Sequence, residues 1–421
     1  MDGRWGACDG PPPGAAETCD GADEDGDGAV DEGLVEPCGR ATGACEPGLR
    51  ICVDGTWSAC AGAVEPRPES CDGTDEDCDG AVDEAPIMAT TGSMPAPTTR
   101  PPSSIAWDGR AYAVAMPGYP NWILRLAVLD AYVWRADLVG RVPVDAIVAS
   151  GPSGLVVTWA ERDGSVVFGR LGWGDDGLPI EPVTLRGEGE GGRASGLRIA
   201  AETRTTLLGW LDDREGTAMP WVVPIDPETG VPRREPLRIA ETLAARGLSL
   251  ANNGEDGFAL GWVTDEGAWF ARLSNTMEVA SGPWRVAEGA TAVAVAGDYY
   301  VDTFIAVWTD GEAVHLGRIA RDTEVIGSTE RVAEGQREVA DLRFIRDDAK
   351  WGVFWTAAVE GGRVIRGRLY HRDGRTLSPV VDLGPVGEGA AVTFGIDGFT
   401  TATLTGGRLA LRAGPIACPD E

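Results

Sequence analysis

The sequence predicts an all-β protein, and three observations carry the prediction. From Ser104 onward, short apolar runs alternate with Asp-Gly and Gly-Gly turns, and no stretch keeps a 3.6-residue period long enough for a helix. Within that region a unit of about 43 to 52 residues recurs, marked by apolar runs that end in tryptophan. Ahead of it, eight of the nine cysteines fall within the first 78 residues, in a segment too poor in apolar side chains to build a core. The expected architecture is a seven-bladed β-propeller, with six blades as the next count, preceded by small disulfide-stapled repeats.

The run Gly154-Leu155-Val156-Val157-Thr158-Trp159 leads through the turn Asp163-Gly164 into a second run ending at Leu171. Equivalent first runs end at Trp210, Trp262, Trp308 and Trp355, and weaker copies stand at 111–116 and 400–404, which makes seven units. A four-stranded unit of this length cannot bury both faces alone, so its neighbours must stack. Radial stacking does so with little exposed edge. The recurring tryptophan is then expected between adjacent sheets, where a large aromatic buries about 150–250 Å2. A ring of exposed, sugar-stacking tryptophans is the competing reading, disfavoured because each Trp closes an apolar run. Nine residues remain after Arg412, too few for another strand pair, so a strand around Ile87-Met88-Ala89-Thr90 is expected to complete the last blade.

Charge divides the chain in the same place. The net charge is −30, and residues 1–84 hold 22 acidic but 4 basic side chains. Such a surface repels phosphate backbones and anionic lipid, so nucleic acid and membranes are poor partners and cations are good ones. No apolar stretch is long enough for a transmembrane segment. Three regions result: repeats over 1–84, a linker rich in Pro, Thr and Ser over 85–103, and the propeller over 104–421.

The repeats are offset by 52 residues: residues 17–32 (ETCDGADEDGDGAVDE) align without a gap on residues 69–84 (ESCDGTDEDCDGAVDE). Asp23, Asp25 and Asp27, and likewise Asp75, Asp77 and Asp79, occupy loop positions 1, 3 and 5, where alternation aims three carboxylates into one cavity. Glycine at position 6 permits a sharp turn that brings round the carbonyl at position 7, Ala29 or Ala81. Asp31 and Glu32, and Asp83 and Glu84, stand at positions 9 and 10. An EF-hand would place its bidentate Glu at position 12, where this chain has Leu34 and Pro86, so the loops are closer to the short calcium loops of thrombospondin-type and dockerin-like repeats. Hard oxygen donors of this kind suit Ca2+, about two ions for the two loops.

These residues, with the cysteine pattern Cys38, Cys45, Cys52, Gly55, Trp57, Cys60, resemble the MopE-type metal-binding repeats of bacterial secreted and surface proteins. The resemblance covers residues 1–84. It implies metal-binding carboxylates and an exported setting. In one member the metal is copper, at a site that uses histidine and a modified tryptophan, but residues 1–84 contain no histidine. Export also agrees with disulfide formation. Six cysteines between 38 and 78 allow fifteen pairings, among them Cys71–Cys78, which would staple the second loop alone; Cys19 is open to an unpaired state or to a partner elsewhere, and Cys418 is free or reaches Cys19. Met1 aligns with Val53 in mid-unit, so a longer array with a signal peptide upstream is expected.

The propeller carries no comparable motif. Gly-x-Ser-x-Gly and His-Glu-x-x-His are absent. The adjacent carboxylates Asp175-Asp176, Asp212-Asp213 and Asp347-Asp348 are expected in turns, and His315 in an alternating strand. The expected function is therefore non-catalytic: divalent-cation binding by the repeats, with the propeller as a binding or adhesion scaffold for a protein or glycan. The alternatives are a secreted propeller hydrolase or lyase acting on carbohydrate, with carboxylates converging at the central channel, and a carbohydrate-binding propeller.

Overall fold

A computed structural model describes residues 14–66, 74–75, 78, 80, 89–96, 100, 102–109, 111–116, 122–127, 133–137, 143–151, 154–171, 179–186, 192–201, 204–240, 244–253, 257–274, 276, 278–298, 303–320, 326–346, 350–371, 373–387, 389–395 and 398–414. Asp77, Asp79, Ala81, Asp83, Glu84, Cys71, Cys418 and the pairs Asp175-Asp176 and Asp347-Asp348 lie outside the described residues. The chain divides after Pro86 into two compact units. Among the described residues no helix is long and apolar enough to cross a membrane.

The first unit holds a three-stranded antiparallel sheet, Val35–Cys38, Gly48–Val53 and Thr56–Trp57. Its hairpin turns at Asp54-Gly55, both at positive φ (47° and 74°), the conformation that matches the twist of the flanking strands. Val35, Leu49, Ile51 and Val53 are exposed, and among the described residues of this unit the buried apolar side chains are Cys45, Cys52 and Cys78. Covalent closure replaces a core. Cys19 pairs with Cys52, Cys38 with Cys60 and Cys45 with Cys78, across separations of 33, 22 and 33 residues. Loops of that length restrict the unfolded chain by about 3–4 kcal/mol each. This connectivity settles what spacing left open: Cys19 is bonded within the unit, and among the fifteen possible pairings Cys78 takes Cys45 rather than Cys71. The cause is a turn over 42–45, where Ala44 N–H donates to the Asp75 carbonyl (2.7 Å) and sets Cys45 beside the second loop.

The second unit is a β-propeller. Its described residues form seven four-stranded antiparallel sheets. The first strands of these sheets are Ser104–Trp107, Pro143–Gly151, Ala194–Ala200, Arg246–Asn252, Ala292–Asp298, Ala340–Arg346 and Gly389–Gly395. Each lies against its predecessor, and the last lies against the first, so the array closes on itself. The apolar runs read from the sequence are the second strands. Ala89–Pro95, from the stretch read as linker, adds to the outer side of the last sheet, pairing Ala89 with Ala413 and Pro95 with Arg408. A chain segment from one end of the unit thus completes the sheet made by the other, which fastens the ring.

Between sheets the tryptophans do what their apolar setting demands. Trp159, Trp210, Trp262 and Trp355 are buried, and each belongs to a cluster shared with the preceding sheet. Trp308 is partly buried against the same kind of cluster. A buried indole N–H needs an acceptor. Trp159 finds Glu161 Oε1 (2.9 Å), Trp210 finds Asp212 Oδ2 (3.0 Å) and Trp355 finds Gln336 Oε1 (3.2 Å).

Asp212 also anchors an ion pair between the second and third sheets. Arg186 Nε lies 3.0 Å from Asp212 Oδ2 with both side chains wholly buried, and Arg214 donates to the same oxygen at 2.7 Å. Arg186 further donates to the Gly164 carbonyl. Burial would raise the Asp212 pKa, but the hydrogen bonds from Arg214 and Trp210 and the charge of Arg186 outweigh it and hold the carboxyl below the ordinary carboxylate value. Asp212→Asn should therefore destabilise the propeller by about 3–5 kcal/mol, because it strands a buried guanidinium. Denaturant melting checks the loss. The stabilisation of the wild type should be complete above pH about 4 and disappear as pH falls through the depressed folded-state value.

Candidate metal centre

Short Asp side chains alternating with Gly fold back onto the amides that follow them, and the first loop is built from such returns. Asp23 accepts from Gly26 N–H (2.7 Å) and Gly28 N–H (3.0 Å), Asp25 from Asp27 N–H (3.0 Å), and Asp27 from Ala29 N–H (2.8 Å). Gly28, at φ 97°, makes a turn that a β-carbon would strain. Carboxylate oxygens from Asp23, Asp25 and Asp27 consequently lie within 4.8 Å of one another. A second group with the same spread joins Asp25 to Glu17 and Glu32.

Glu17 is the residue that the sequence reading missed. Its Oε1 accepts from Glu24 N–H (3.1 Å) and Asp25 N–H (3.2 Å), and its Oε2 from Asp31 N–H (3.1 Å). Burial, together with the charges of Glu32 and Glu24, raises its pKa against the lowering effect of those amides. The signal was present, since Glu17 repeats as Glu69 at the 52-residue offset, but it lies outside the loop on which attention settled.

Asp31 has a different task from the one its loop position suggested. Its side chain accepts from Asp20 N–H (3.0 Å) and Gly21 N–H (3.1 Å) through Oδ1 and from Gly55 N–H (2.6 Å) through Oδ2. It is buried and belongs to neither carboxylate group. Burial favours its neutral form, yet the three amides prevail and lower its pKa. Asp31 thus clamps the loop onto the 54–55 hairpin, beside the Cys19–Cys52 bond.

The described part of the second loop repeats the first. Asp75 Oδ2 accepts from Gly80 N–H at 3.1 Å, the same five-residue return as Asp23 with Gly28, and Gly80 has φ 99°. Position 4 is left-handed in both copies, Gly26 at 72° and Cys78 at 63°. Cys78 carries the bond to Cys45, and Arg40 donates to the Cys78 carbonyl at 3.2 Å.

Comparison with known proteins agrees with this division. A family model named for copper binding in MopE, and described as a "Putative metal-binding motif", matches residues 12–32 and 63–84. No curated protein matches the chain. Among solved structures, the WD40 domain of coronin from Toxoplasma gondii is similar at a TM-score of 0.50 and 12% identity, covering 78% of this chain and 87% of that one. The Dos1 propeller aligns at a TM-score of 0.48 and 10% identity, covering 80% of this chain and 98% of that one. The coronin likeness shows the fold alone.

Both histidines belong to the second unit. His315 stacks on Trp308 with centroids 5.6 Å apart, and His371 Nδ1 lies 3.0 Å from Asp373. Asp212, expected in a turn, instead ends the strand Thr206–Asp212, where its side chain is committed to the buried Arg186.

The separate roles of Asp31 and Asp25 can be tested by amide exchange. Asp31→Ala should speed exchange at Asp20, Gly21 and Gly55 by about tenfold, since each loses its acceptor. Asp25→Ala should leave those three unchanged and speed Asp27 instead, as read by NMR.

Proposed function

We propose that this chain is a non-catalytic, exported bacterial protein whose N-terminal repeats bind about two Ca2+ ions and whose propeller is a binding or adhesion scaffold. The observation that carries the reading is the convergence of Asp23, Asp25 and Asp27 within 4.8 Å, in a loop whose shape their own hydrogen bonds maintain. Carboxylates packed so closely repel one another until a cation enters between them. The donors are hard oxygens, which favour Ca2+, and the Ala29 carbonyl is the natural further ligand at position 7. Copper would look for imidazole or thiol. Both histidines lie in the propeller sequence, and Cys19, Cys38, Cys45, Cys52, Cys60 and Cys78 are consumed in disulfides. The disulfides Cys19–Cys52, Cys38–Cys60 and Cys45–Cys78 support the exported setting, since such bonds persist in oxidising compartments.

Residues of the repeats would hold the metal as follows. Asp23, Asp25, Asp27 and Ala29, with Glu17 and Glu32 at the adjoining group, serve the first ion. Asp75 and its partners in sequence, Asp77, Asp79, Ala81, Asp83 and Glu84, serve the second. The metal supplies charge neutralisation and rigidity rather than chemistry.

Calorimetric titration of Ca2+ into the chelator-treated full chain, with Mg2+ and Cu+ as controls, tests the reading. Saturable uptake of about two ions is expected, one lost in Asp25→Ala and the other in Asp77→Ala. No uptake, or uptake of copper alone, would overturn it.

A further inference from the structure

The centre of the propeller encloses a cavity of about 640 Å3, within the size range of small-molecule sites. Three of its lining residues are arginines. Arg246 is paired with Asp265 (3.0 Å); the other two are Arg198 on the first strand of the third sheet and Arg343 on the first strand of the sixth. In a ring of seven sheets these two strands stand across the channel from each other. A shared local device aims them. Gly196, Gly247 and Asp341 each take a left-handed conformation (φ 61°, 61° and 51°), and the strand register shifts at each of these points. A bulge of this kind turns the residues beyond it. In each case a buried leucine follows (Leu197, Leu248, Leu342), and after it Arg198, Ser249 or Arg343. Asp341 is not glycine, and a left-handed backbone at such a residue is strain that functional sites retain.

Among the described residues, neither guanidinium forms an ion pair. Arg198 donates to the Leu197 carbonyl at 2.7 Å and Arg343 to the Leu342 carbonyl at 3.4 Å. The nearby carboxylates are Asp145, which accepts from Leu197 N–H (3.1 Å), and Asp341, which lines the cavity and accepts from Thr356 Oγ1 (3.2 Å); their charges act on the guanidiniums without forming an ion pair. Burial, and then the like charge of Arg343, pushes the Arg198 pKa down to about 10 against the raising effect of Asp145 and Asp341, which leaves it cationic at neutral pH. Burial likewise lowers that of Arg343. Ser104 and Ser249 line the same cavity, and each accepts from the amide of the next sheet, Val148 at 2.7 Å and Val295 at 2.9 Å, leaving its own hydroxyl proton to donate.

We propose that this channel binds a small anionic ligand, one carrying a carboxylate, sulfate or phosphate group, between Arg198 and Arg343. Asp145 and Asp341 offset these charges from a distance, but no carboxylate closes an ion pair with either guanidinium among the described residues, and a planar, multi-donor cation is suited to oxyanions. Ser104 and Ser249 add neutral donors. The site is separate from the N-terminal carboxylates, so it stands whether or not those bind metal.

The test is calorimetric titration of the full chain with sulfate and with glucuronate, and with glucose as the neutral match. Saturable binding of the anions and none of glucose is expected. Arg198→Gln and Arg343→Gln should each weaken it about tenfold or more, and Asp25→Ala should leave it unchanged. Should a variant misfold, phenylglyoxal labelling of the wild type read by mass spectrometry gives an independent measure, with the anions protecting Arg198 and Arg343. Absence of saturable anion binding, binding indifferent to both substitutions, or labelling unchanged by the anions would overturn the proposal.

Discussion

Carboxylates that capture backbone amides are the interaction on which the N-terminal unit depends. A segment whose larger apolar side chains lie exposed cannot fold by burial, yet its turns still leave N–H groups that need acceptors. Glu17, Asp23, Asp25, Asp27 and Asp31 supply them. The consequence is crowding, because side chains that satisfy neighbouring amides must stand close to one another. A fold held this way gathers negative charge where its turns are tightest, and a cation there would relieve the repulsion. The disulfides keep the loops near their docking partners in either state.

The propeller meets the opposite problem. It has ample apolar area, but each blade must choose its neighbour and its register. Tryptophan serves both needs, since its ring fills the space between sheets and its N–H fixes orientation through a single acceptor. Glu161 and Asp212 stand two residues beyond their tryptophans on the same strand, where side chains share a face, so the acceptor is specified locally. Arg186 and Arg214 then neutralise Asp212, which turns one local contact into a bond between sheets.

Much of this was legible in the sequence. Apolar runs ending in tryptophan identified strands because burial and strand alternation leave a direct trace in residue type, while their place as second strands emerged from the sheet order. The acidic loops were legible because alternation and glycine placement are local. What escaped depended on contacts far apart in the chain. The Cys19–Cys52 and Cys45–Cys78 bonds follow from docking of loops onto turns, which spacing does not encode. Asp31 reads like a ligand from its position, and its commitment to Gly55 emerges when a hairpin 24 residues away folds against it. The same holds for Arg198 and Arg343, ordinary in their strands until ring closure sets them across one channel.

The account centres on the claim that the loop carboxylates form an oxygen-only site for a hard cation. The most direct measurement is an anomalous difference map from crystals of the full chain grown in Ca2+, compared with a map recorded across the copper absorption edge. The account predicts a calcium peak about 2.3–2.6 Å from oxygens of Asp23, Asp25 and Asp27 and from the Ala29 carbonyl, with no copper peak there. A copper peak at these residues, or an empty loop at saturating calcium, would contradict it.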